Sequence, residues 1–285
     1  MGLPPILMPT GNNDAISTKD GMIPVQKEIM TMKLKRWVYI LNNLVCVLLI
    51  LLCAQIAESS SWQIMPGRAR DIGIGANGSV WVIGSTQTEG GYGIYRWTGS
   101  NWSQVDGAAV VIDVDDGGTP WIANSGGAIY RREGDRWQIK TGKARDIGIG
   151  RQGDVWVIGW TRIAGGGYGI YKWIGSRWQQ VDGAAVAIDV DASGTPWVVN
   201  SEGSIYRRAG NRWQILPGKA RDIGIGYDGS VWVIGWTRIG SGGYGIYKWT
   251  GSNWRQIDGE AVRISVDPSG RPWVVNSAGN IYKHK

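Results

Sequence analysis

Short segments in which apolar residues alternate with polar residues or glycine recur from residue 62 onward. Within one such unit the alternation predicts four strands, at 221–226, 230–235, 245–249 and 253–257. Pairs typical of tight hairpin turns separate them, among them Asp228-Gly229 and Gly251-Ser252. Four short strands in a unit of this size predict one blade of a β-propeller. We label them A to D, from the axis of the propeller outward.

Tryptophan marks the repetition of this unit. One set of indoles begins the D strands, at Trp62, Trp102, Trp137, Trp178, Trp213 and Trp254. A second set lies in the B strands, at Trp81, Trp121, Trp156, Trp197, Trp232 and Trp273. The spacings within the first set are 40, 35, 41, 35 and 41 residues, so long and short units alternate. Large residues at identical blade positions are expected to fill the space between blades rather than to bind a ligand.

The two ends of the repeat region complement each other. Residues 62–65 form a D strand without preceding strands, and residues 280–283 form a C strand without a D strand. The first strand can therefore complete the last blade and leave no open sheet edge. The sequence predicts an all-β domain over 62–285: a six-bladed β-propeller of four-stranded blades, its ring closed by the N-terminal strand.

An apolar segment precedes this domain. Residues 37–54 carry no charge and follow Lys33, Lys35 and Arg36, a pattern typical of an export signal. We predict a polar lead over 1–36, with Met30 or Met32 as an alternative start, and a signal peptide or membrane anchor over 37–57. Residues after Ala57 are then exported, and the protein is secreted or extracytoplasmic. Membrane contact is expected only through 37–54, if that segment is retained.

The amino-acid composition excludes several kinds of functional site. The 285 residues carry 30 Lys and Arg against 23 Asp and Glu, a net charge of +7, with no run of five like charges that would indicate a nucleic-acid-binding tail. The two cysteines, Cys46 and Cys53, lie in the apolar segment, and His284 is the one histidine. Cysteine-based zinc sites in the domain and nearly all histidine-dependent catalysis are excluded. We therefore expect no catalytic residues, no metal and no cofactor.

The connections between strands B and C are the candidate binding loops. In alternate units they are longer by five or six residues, at 85–92, 160–168 and 236–244. A Trp face suits the apolar face of a sugar ring, and Arg or Tyr can donate hydrogen bonds to hydroxyls. The candidate glycan-binding residues are Trp160, Arg162, Tyr168, Trp236, Arg238, Tyr244 and Tyr92. Since the first loop lacks the Trp and the Arg, two good sites and one weakened site are expected. In the alternative interpretation, the two loop tryptophans fold back over the outer blade surface.

Other repeated motifs have two interpretations each. The D–A connectors at 66–71, 141–146 and 217–222 carry an Arg-Asp pair, either a structural ion pair or turn, or part of a basic ring that attracts acidic glycans or lipopolysaccharide phosphate. Acidic residues before the short-unit turns, such as Asp113, Asp115, Asp189 and Asp191, favour ordinary turn chemistry over calcium. Asn77 and Asn101 fit the N-glycosylation sequon.

The repeats resemble those of tectonin-type β-propeller lectins, a group that includes tachylectin-like proteins. The resemblance is carried by segments such as Ala220-Arg-Asp-Ile-Gly-Ile-Gly-Tyr-Asp-Gly-Ser-Val-Trp232 and Gly203-Ser-Ile-Tyr-Arg-Arg-Ala-Gly-Asn-Arg-Trp213, and it spans 62–285. It implies a six-bladed propeller that binds glycans, in several relatives microbial surface saccharides such as lipopolysaccharide. Other tectonin-repeat proteins serve as interaction scaffolds inside cells.

Two functions remain open on the sequence. The first is an exported, non-enzymatic lectin whose repeated loop sites on one face bind surface glycans multivalently. The second is a protein–protein interaction scaffold, possibly tethered to a membrane, because a propeller face can serve either role. A glycosidase is disfavoured, since no pair of carboxylates stands out as a catalytic set.

Overall fold

The computed structural model describes residues 24–56 and 61–285. The chain divides into two compact units at the boundary between Ser60 and Ser61. The polar lead up to residue 23 and the predicted cleavage point after Ala57 lie outside the described residues.

The first unit contains one long helix, α1, which spans Pro24–Ile56. It includes the apolar segment over 37–54 and begins well upstream of it. A proline suits the first turn of a helix, and the Lys and Glu residues that follow are good helix formers. The described side chains of this helix, residues 28–46, are exposed. Among the described residues, no helix combines the length and the apolar character needed to span a membrane.

The second unit is built from strands, with one short 3₁₀ turn at Arg151–Gly153. The strands are β1 Trp62–Ile74, β2 Val80–Thr88, β3 Gly91–Trp97, β4 Trp102–Ala109, β5 Val111–Val114, β6 Pro120–Ala123, β7 Ala128–Glu133, β8 Arg136–Lys143, β9 Asp146–Ile149, β10 Val155–Ile163, β11 Gly167–Trp173, β12 Trp178–Ala185, β13 Ala187–Val190, β14 Pro196–Val199, β15 Ser204–Ala209, β16 Arg212–Ile225, β17 Val231–Gly240, β18 Gly243–Trp249, β19 Trp254–Ala261, β20 Arg263–Val266, β21 Pro272–Val275 and β22 Asn280–His284.

These strands pair into consecutive four-stranded antiparallel sheets, as the repeat predicted. Sheet 1 comprises the second part of β1 with β2, β3 and β4, and sheets 2 and 3 comprise β5–β8 and β9–β12. Sheet 4 comprises β13–β15 with the first part of β16, and sheet 5 comprises the rest of β16 with β17–β19. Sheet 6 comprises β20–β22 with the first part of β1. Strands β1 and β16 therefore each serve two sheets.

The apolar core lies between consecutive sheets. Sheets 1 and 2, for example, share a cluster that contains Trp81, Ile83, Ile112 and Ile122. The six B-strand tryptophans are all buried, which confirms their prediction as core residues. Sheet 6 packs on sheet 1 in the same way, because one cluster joins Met65 and Trp273 to Ile72 and Val82. Alternating small and large apolar residues let neighbouring sheets pack closely.

The D-strand tryptophans join each sheet to the preceding one. Their indole N–H groups donate to main-chain oxygens in the preceding sheet at 2.6–2.8 Å. The pairs are Trp62–Asp258, Trp102–Pro66, Trp137–Asp106, Trp178–Thr141, Trp213–Asp182 and Trp254–Pro217. The same hydrogen bond at every junction gives these residues a structural role, as the sequence predicted.

Candidate functional site

The three long B–C connections are β-hairpins rather than loops. In each, strands B and C are longer than the alternation predicted, and a turn of two or three residues joins them. We name them hairpin 1 (85–92), hairpin 2 (160–168) and hairpin 3 (236–244). Their registers agree: Arg162 is opposite Tyr168, Arg238 is opposite Tyr244, and Gln87 is opposite Tyr92. These paired candidates are therefore held by a strand ladder, whereas Trp160 and Trp236 lie in the irregular stretches between Ile158 and Arg162 and between Ile234 and Arg238.

All three hairpins lie at the same end of the sheets, where strand B turns into strand C. The amide of Ser125, in the short B–C turn of sheet 2, donates to the oxygen of Gly90 at the tip of hairpin 1, at 2.9 Å. Ser201 and Gly166 make the same bond at hairpin 2, and Ser277 makes it with Gly242 at hairpin 3. We call the surface formed by the hairpins and these short turns the hairpin face.

An arginine stacks against the aromatic residues of each hairpin. The guanidinium carbon of Arg145 lies 4.2 Å from the ring centre of Trp160 and 4.0 Å from that of Tyr168. Arg221 lies 4.5 Å from Trp236 and 4.2 Å from Tyr244. At hairpin 1, Arg70 stacks on Tyr92 alone, at 3.9 Å. A guanidinium over an aromatic ring is attracted by the electrons of the ring face, so each stack orders its side chains.

The hairpin tryptophans also contact the preceding sheet. A Cβ built on Gly127 would lie 2.6 Å from Cε3 and Cζ3 of Trp160, and a Cβ on Gly203 would lie 2.4 Å from Cε3 of Trp236. Both indoles therefore rest on a glycine, yet they remain 40% and 37% exposed. The alternative interpretation therefore agrees in part with the structure, because both indoles fold back onto a neighbouring sheet, at a short turn that belongs to the hairpin face.

The structure thus groups the predicted residues around arginines that the sequence interpretation did not select. Trp160 and Tyr168 meet at Arg145, and Trp236 and Tyr244 meet at Arg221. Arg162 and Arg238 are exposed on the same hairpins, and Arg238 Nη2 donates to the oxygen of Ser241 at 3.2 Å. The signal that could have found Arg70, Arg145 and Arg221 was their equal position in the three D–A connectors.

The aspartates that follow these arginines point toward the next sheet rather than toward the hairpin aromatics. No ion pair within an Arg-Asp motif is found among the described residues. In the innermost strands, carboxylate oxygens accept the main-chain N–H of the next sheet at 2.6–2.9 Å. The pairs are Asp71–Ile112, Asp113–Ile149, Asp146–Ile188, Asp189–Ile225 and Asp222–Ile264. The ion-pair interpretation of the motif is therefore wrong, and Asp113 and Asp189 are not turn residues.

Burial perturbs these carboxyl groups. Burial raises the pKa of Asp71 to about 7, an effect larger than the opposing one of the nearby Arg263 charge. It also raises the pKa of Asp189 to about 8. The pKa values of Asp113 and Asp146 are raised well above the usual range, first by burial and then by the charges of Asp189 and Asp222 respectively. Among the described residues, Arg263 alone forms an ion pair with one of these aspartates, with its Nε 3.5 Å from Asp71 Oδ1.

The other acidic and amide candidates have local roles. Asp115 Oδ1 accepts the N–H groups of Gly117 and Thr119, and Asp191 does the same in its own turn, which confirms the turn interpretation for both. Within residues 61–285 no cluster of three or more His, Cys, Asp or Glu could hold a metal ion. Asn77 and Asn101 are exposed and take part in turn hydrogen bonds; their glycosylation stays a prediction.

Repeated four-stranded sheets that pack face to face define a protein of the β-propeller class. The chain belongs to the Tectonin family, whose domain matches residues 108–208, 164–239 and 184–285. This family is lectin-like, which confirms the resemblance found in the repeats. Tectonin-2 of Physarum polycephalum is 37% identical over 73 residues, which amount to 25% of this chain and 19% of that protein. The match thus spans about a fifth of the relative's length.

Solved structures share the fold at low sequence identity. Regucalcin from Agrobacterium tumefaciens, described as a calcium-binding protein, has a TM-score of 0.54 at 12% identity and covers 77% of this chain and 90% of its own. The WD40 propeller domain of Doa1 has a TM-score of 0.52 at 9% identity, over 78% and 94%. YCF48 bound to a D1 peptide has 0.51 at 14% identity, over 80% and 97%. These likenesses concern the fold alone.

Proposed function

We propose that this protein is an exported, non-enzymatic lectin that binds surface glycans through its hairpin face. The observation that carries the proposal is the repetition of one Arg–aromatic stack at hairpins 2 and 3, with indoles that stay more than a third exposed. Membership of the lectin-like Tectonin family supports the same function. Exposed aromatic rings beside hydrogen-bond donors have the chemistry that recognises sugar rings and their hydroxyls.

Six blades in a closed ring would present these sites at fixed positions. This architecture is supported by the six junctions at which a D-strand indole bonds the preceding sheet. It is also supported by β1, which pairs with β22 through Trp62 to Arg68 and with β2 through Ala69 to Ile74. Several weak sites on a rigid ring gain strength on a repetitive surface through effective concentration.

The charges of the hairpin face favour acidic saccharides, including phosphate-bearing lipopolysaccharide. Arg145 and Arg221 make no ion pair among the described residues, and Arg162 and Arg238 project from the same hairpins. Unpaired guanidinium groups bind carboxylates and phosphates well. Hairpin 1 keeps only Tyr92 and Arg70 of this set, so its site is weaker than the other two.

Export through residues 37–57 stands as part of the proposal. It rests on the positive flank and the uncharged segment that follows it, which lie on helix α1. Exported glycan binders meet cell-surface saccharides directly, so location and function agree.

A glycan array with the full chain tests the proposal. We expect binding to acidic or repetitive surface glycans, and we expect Trp160→Ser with Trp236→Ser to weaken it more than either single change. Each lost contact costs on the order of 1 kcal/mol per site, and avidity multiplies the losses. Arg136→Ser, at an exposed position of the outer strand β8, is the matched control and should bind as the wild type does. A folded double variant that binds as tightly as the wild type would refute the hairpin sites.

A further inference from the structure

One of the differences between the three copies of the hairpin site concerns the tryptophan. In two of them the chain's own indole lies between an arginine and a glycine of the preceding sheet: Trp160 lies between Arg145 and Gly127, and Trp236 lies between Arg221 and Gly203. In the remaining copy the residue that corresponds to these tryptophans is Ser85, whose side chain is too short to reach the glycine of the preceding sheet.

The position of the missing indole is open. The glycine of this copy is Gly279, and the nearest atoms to a Cβ built on it are the oxygen of Ala69 at 3.1 Å and Cβ of Arg68 at 3.6 Å, with no ring atom within 4 Å. Gly127 and Gly203 are buried under their indoles, whereas Gly279 is partly exposed. We call the space bounded by Arg70, Ser85 and Gly279 the open seat.

The backbone around the open seat is already in the arrangement that holds an indole elsewhere. The amide of Ala69 donates to the oxygen of Gly279 at 2.8 Å. The corresponding pairs beside the occupied seats, Ala144 with Gly127 and Ala220 with Gly203, have 2.9 and 2.8 Å. The three glycines share a positive φ of 82 to 83°. Little rearrangement is therefore needed for a ring to enter, which lowers the entropic cost of binding.

We propose that the open seat binds the indole of a tryptophan presented by a partner polypeptide. Arg70 already stacks on Tyr92 at 3.9 Å, and in both other copies the equivalent guanidinium contacts a second ring. An incoming indole would complete the same three-layer stack of ring, guanidinium and ring. The chain's own Trp160 and Trp236 show which ring the seat accommodates. This site goes beyond glycan binding and does not depend on it.

The number of open seats can be changed by substitution, which makes the proposal quantitative. The wild type has one, Ser85→Trp should fill it and leave none, and Trp160→Ser should open a second. Adding Trp236→Ser to Trp160→Ser should give three. The filled variant should fold, because the same residue occupies the same position in hairpins 2 and 3.

Titration of the full chain with N-acetyl-5-fluorotryptophanamide, followed by ¹⁹F NMR, counts the seats. We expect saturable binding to the wild type, at least a tenfold loss in Ser85→Trp, and a doubled capacity in Trp160→Ser. Arg70→Ala should also abolish binding in the wild-type background, which tests the seat without filling it. N-acetyl-leucinamide is the control ligand and should not bind.

Equal binding of the fluorinated probe by the wild type and Ser85→Trp would overturn the proposal, as would no binding by the wild type. Probe binding that Arg70→Ala leaves unchanged would also overturn it, because the probe would then bind away from the seat. Glycan-array binding of Ser85→Trp should be retained through hairpins 2 and 3. Failure of the indole site is thereby distinguishable from failure of the glycan-binding function.

Discussion

Arg145 and Asp146 are consecutive residues whose side chains point in opposite directions at the point where β9 begins. The guanidinium of Arg145 stacks on the hairpin face, 4.2 Å from the Trp160 ring centre, while Asp146 Oδ2 accepts the N–H of Ile188 in the next sheet at 2.8 Å. In the other two copies the arginine lies at a bulge of the ladder, Arg70 between Ala69 and Asp71 and Arg221 between Ala220 and Asp222. One dipeptide, repeated in alternate sheets, thus supplies both an exposed cation on the hairpin face and an internal hydrogen bond between sheets.

The inner-strand carboxyl groups should stabilise the domain as acceptors rather than as charges. Asp146→Ala leaves the N–H of Ile188 without a partner, and we expect a loss of about 1–3 kcal/mol in the free energy of unfolding. Asp146→Asn keeps a carbonyl acceptor and removes the repulsion from Asp222, so it should lose little at pH 8. Urea unfolding followed by tryptophan fluorescence measures both. Equal destabilisation by the two substitutions would show that the negative charge itself is required.

Stability should fall as the pH rises from about 4 to about 8. The folded-state pKa values of Asp71 and Asp189 are raised to about 7 and about 8 from an ordinary value near 3.8. The folded protein therefore holds protons that the unfolded chain releases, and this stabilisation is lost as the pH rises through the folded-state values. We expect a higher urea midpoint at pH 5 than at pH 8.5, and a smaller difference in Asp146→Asn. A midpoint that rises with pH would contradict the burial of these groups as protonated acids.

The first strand should be essential to the fold. Deleting residues 62–65 removes the pairing of β1 with β22, the buried Met65 and the bond from the Trp62 indole to Asp258. The edge of β22 is then exposed, and we expect the melting temperature to drop sharply. Gln63→Ala, at an exposed position of the same strand, is the control and should melt as the wild type does. An unchanged melting curve after the deletion would argue against closure of the ring by this strand.

The three seat glycines should respond differently to alanine. All three have a positive φ, so each substitution carries a backbone cost of about 1–2 kcal/mol. Gly127→Ala also forces Cβ against the Trp160 ring and should lose about 1–3 kcal/mol more than Gly279→Ala. Combining Gly127→Ala with Trp160→Ser should remove that excess, as thermal unfolding of Gly127→Ala, Gly279→Ala, Trp160→Ser and the double variant can show. Equal losses at Gly127 and Gly279 would mean that the seat beside hairpin 1 is not open.

Much of the fold could be predicted from the sequence because its signals are local and repeated. The B-strand indoles, such as Trp81, recur with turn residues between them, and burial selects large residues at identical positions. The extent of the hairpins was underestimated, since segments such as Thr161-Arg162 are exposed on both sides and lack the alternation that predicts a strand. Their pairing is stabilised by cross-strand partners, Arg162 with Tyr168 for example.

The site was predicted only in part, because its geometry depends on contacts between distant segments. Trp160 and Tyr168 are close in sequence and were selected together, but Arg145 comes from the connector before the blade, for which an ion pair or turn and a basic ring were both left open. No local pattern shows that Gly127, in the preceding sheet, supports the Trp160 ring. The absence of an indole at Ser85 predicted a weakened site, but no local pattern indicates that Gly279 has no ring among its nearest neighbours.

Hydrogen exchange with and without the saccharide that binds best on the array tests the central claim most directly. If the hairpin face binds glycans, amides of hairpins 2 and 3 and of connectors 141–146 and 217–222 should exchange more slowly when the saccharide is bound. Amides of the A–B turns around Asp115 and Asp191, at the other ends of the strands, should be unaffected. Protection confined to those turns, or the absence of any saccharide that binds, would contradict the account.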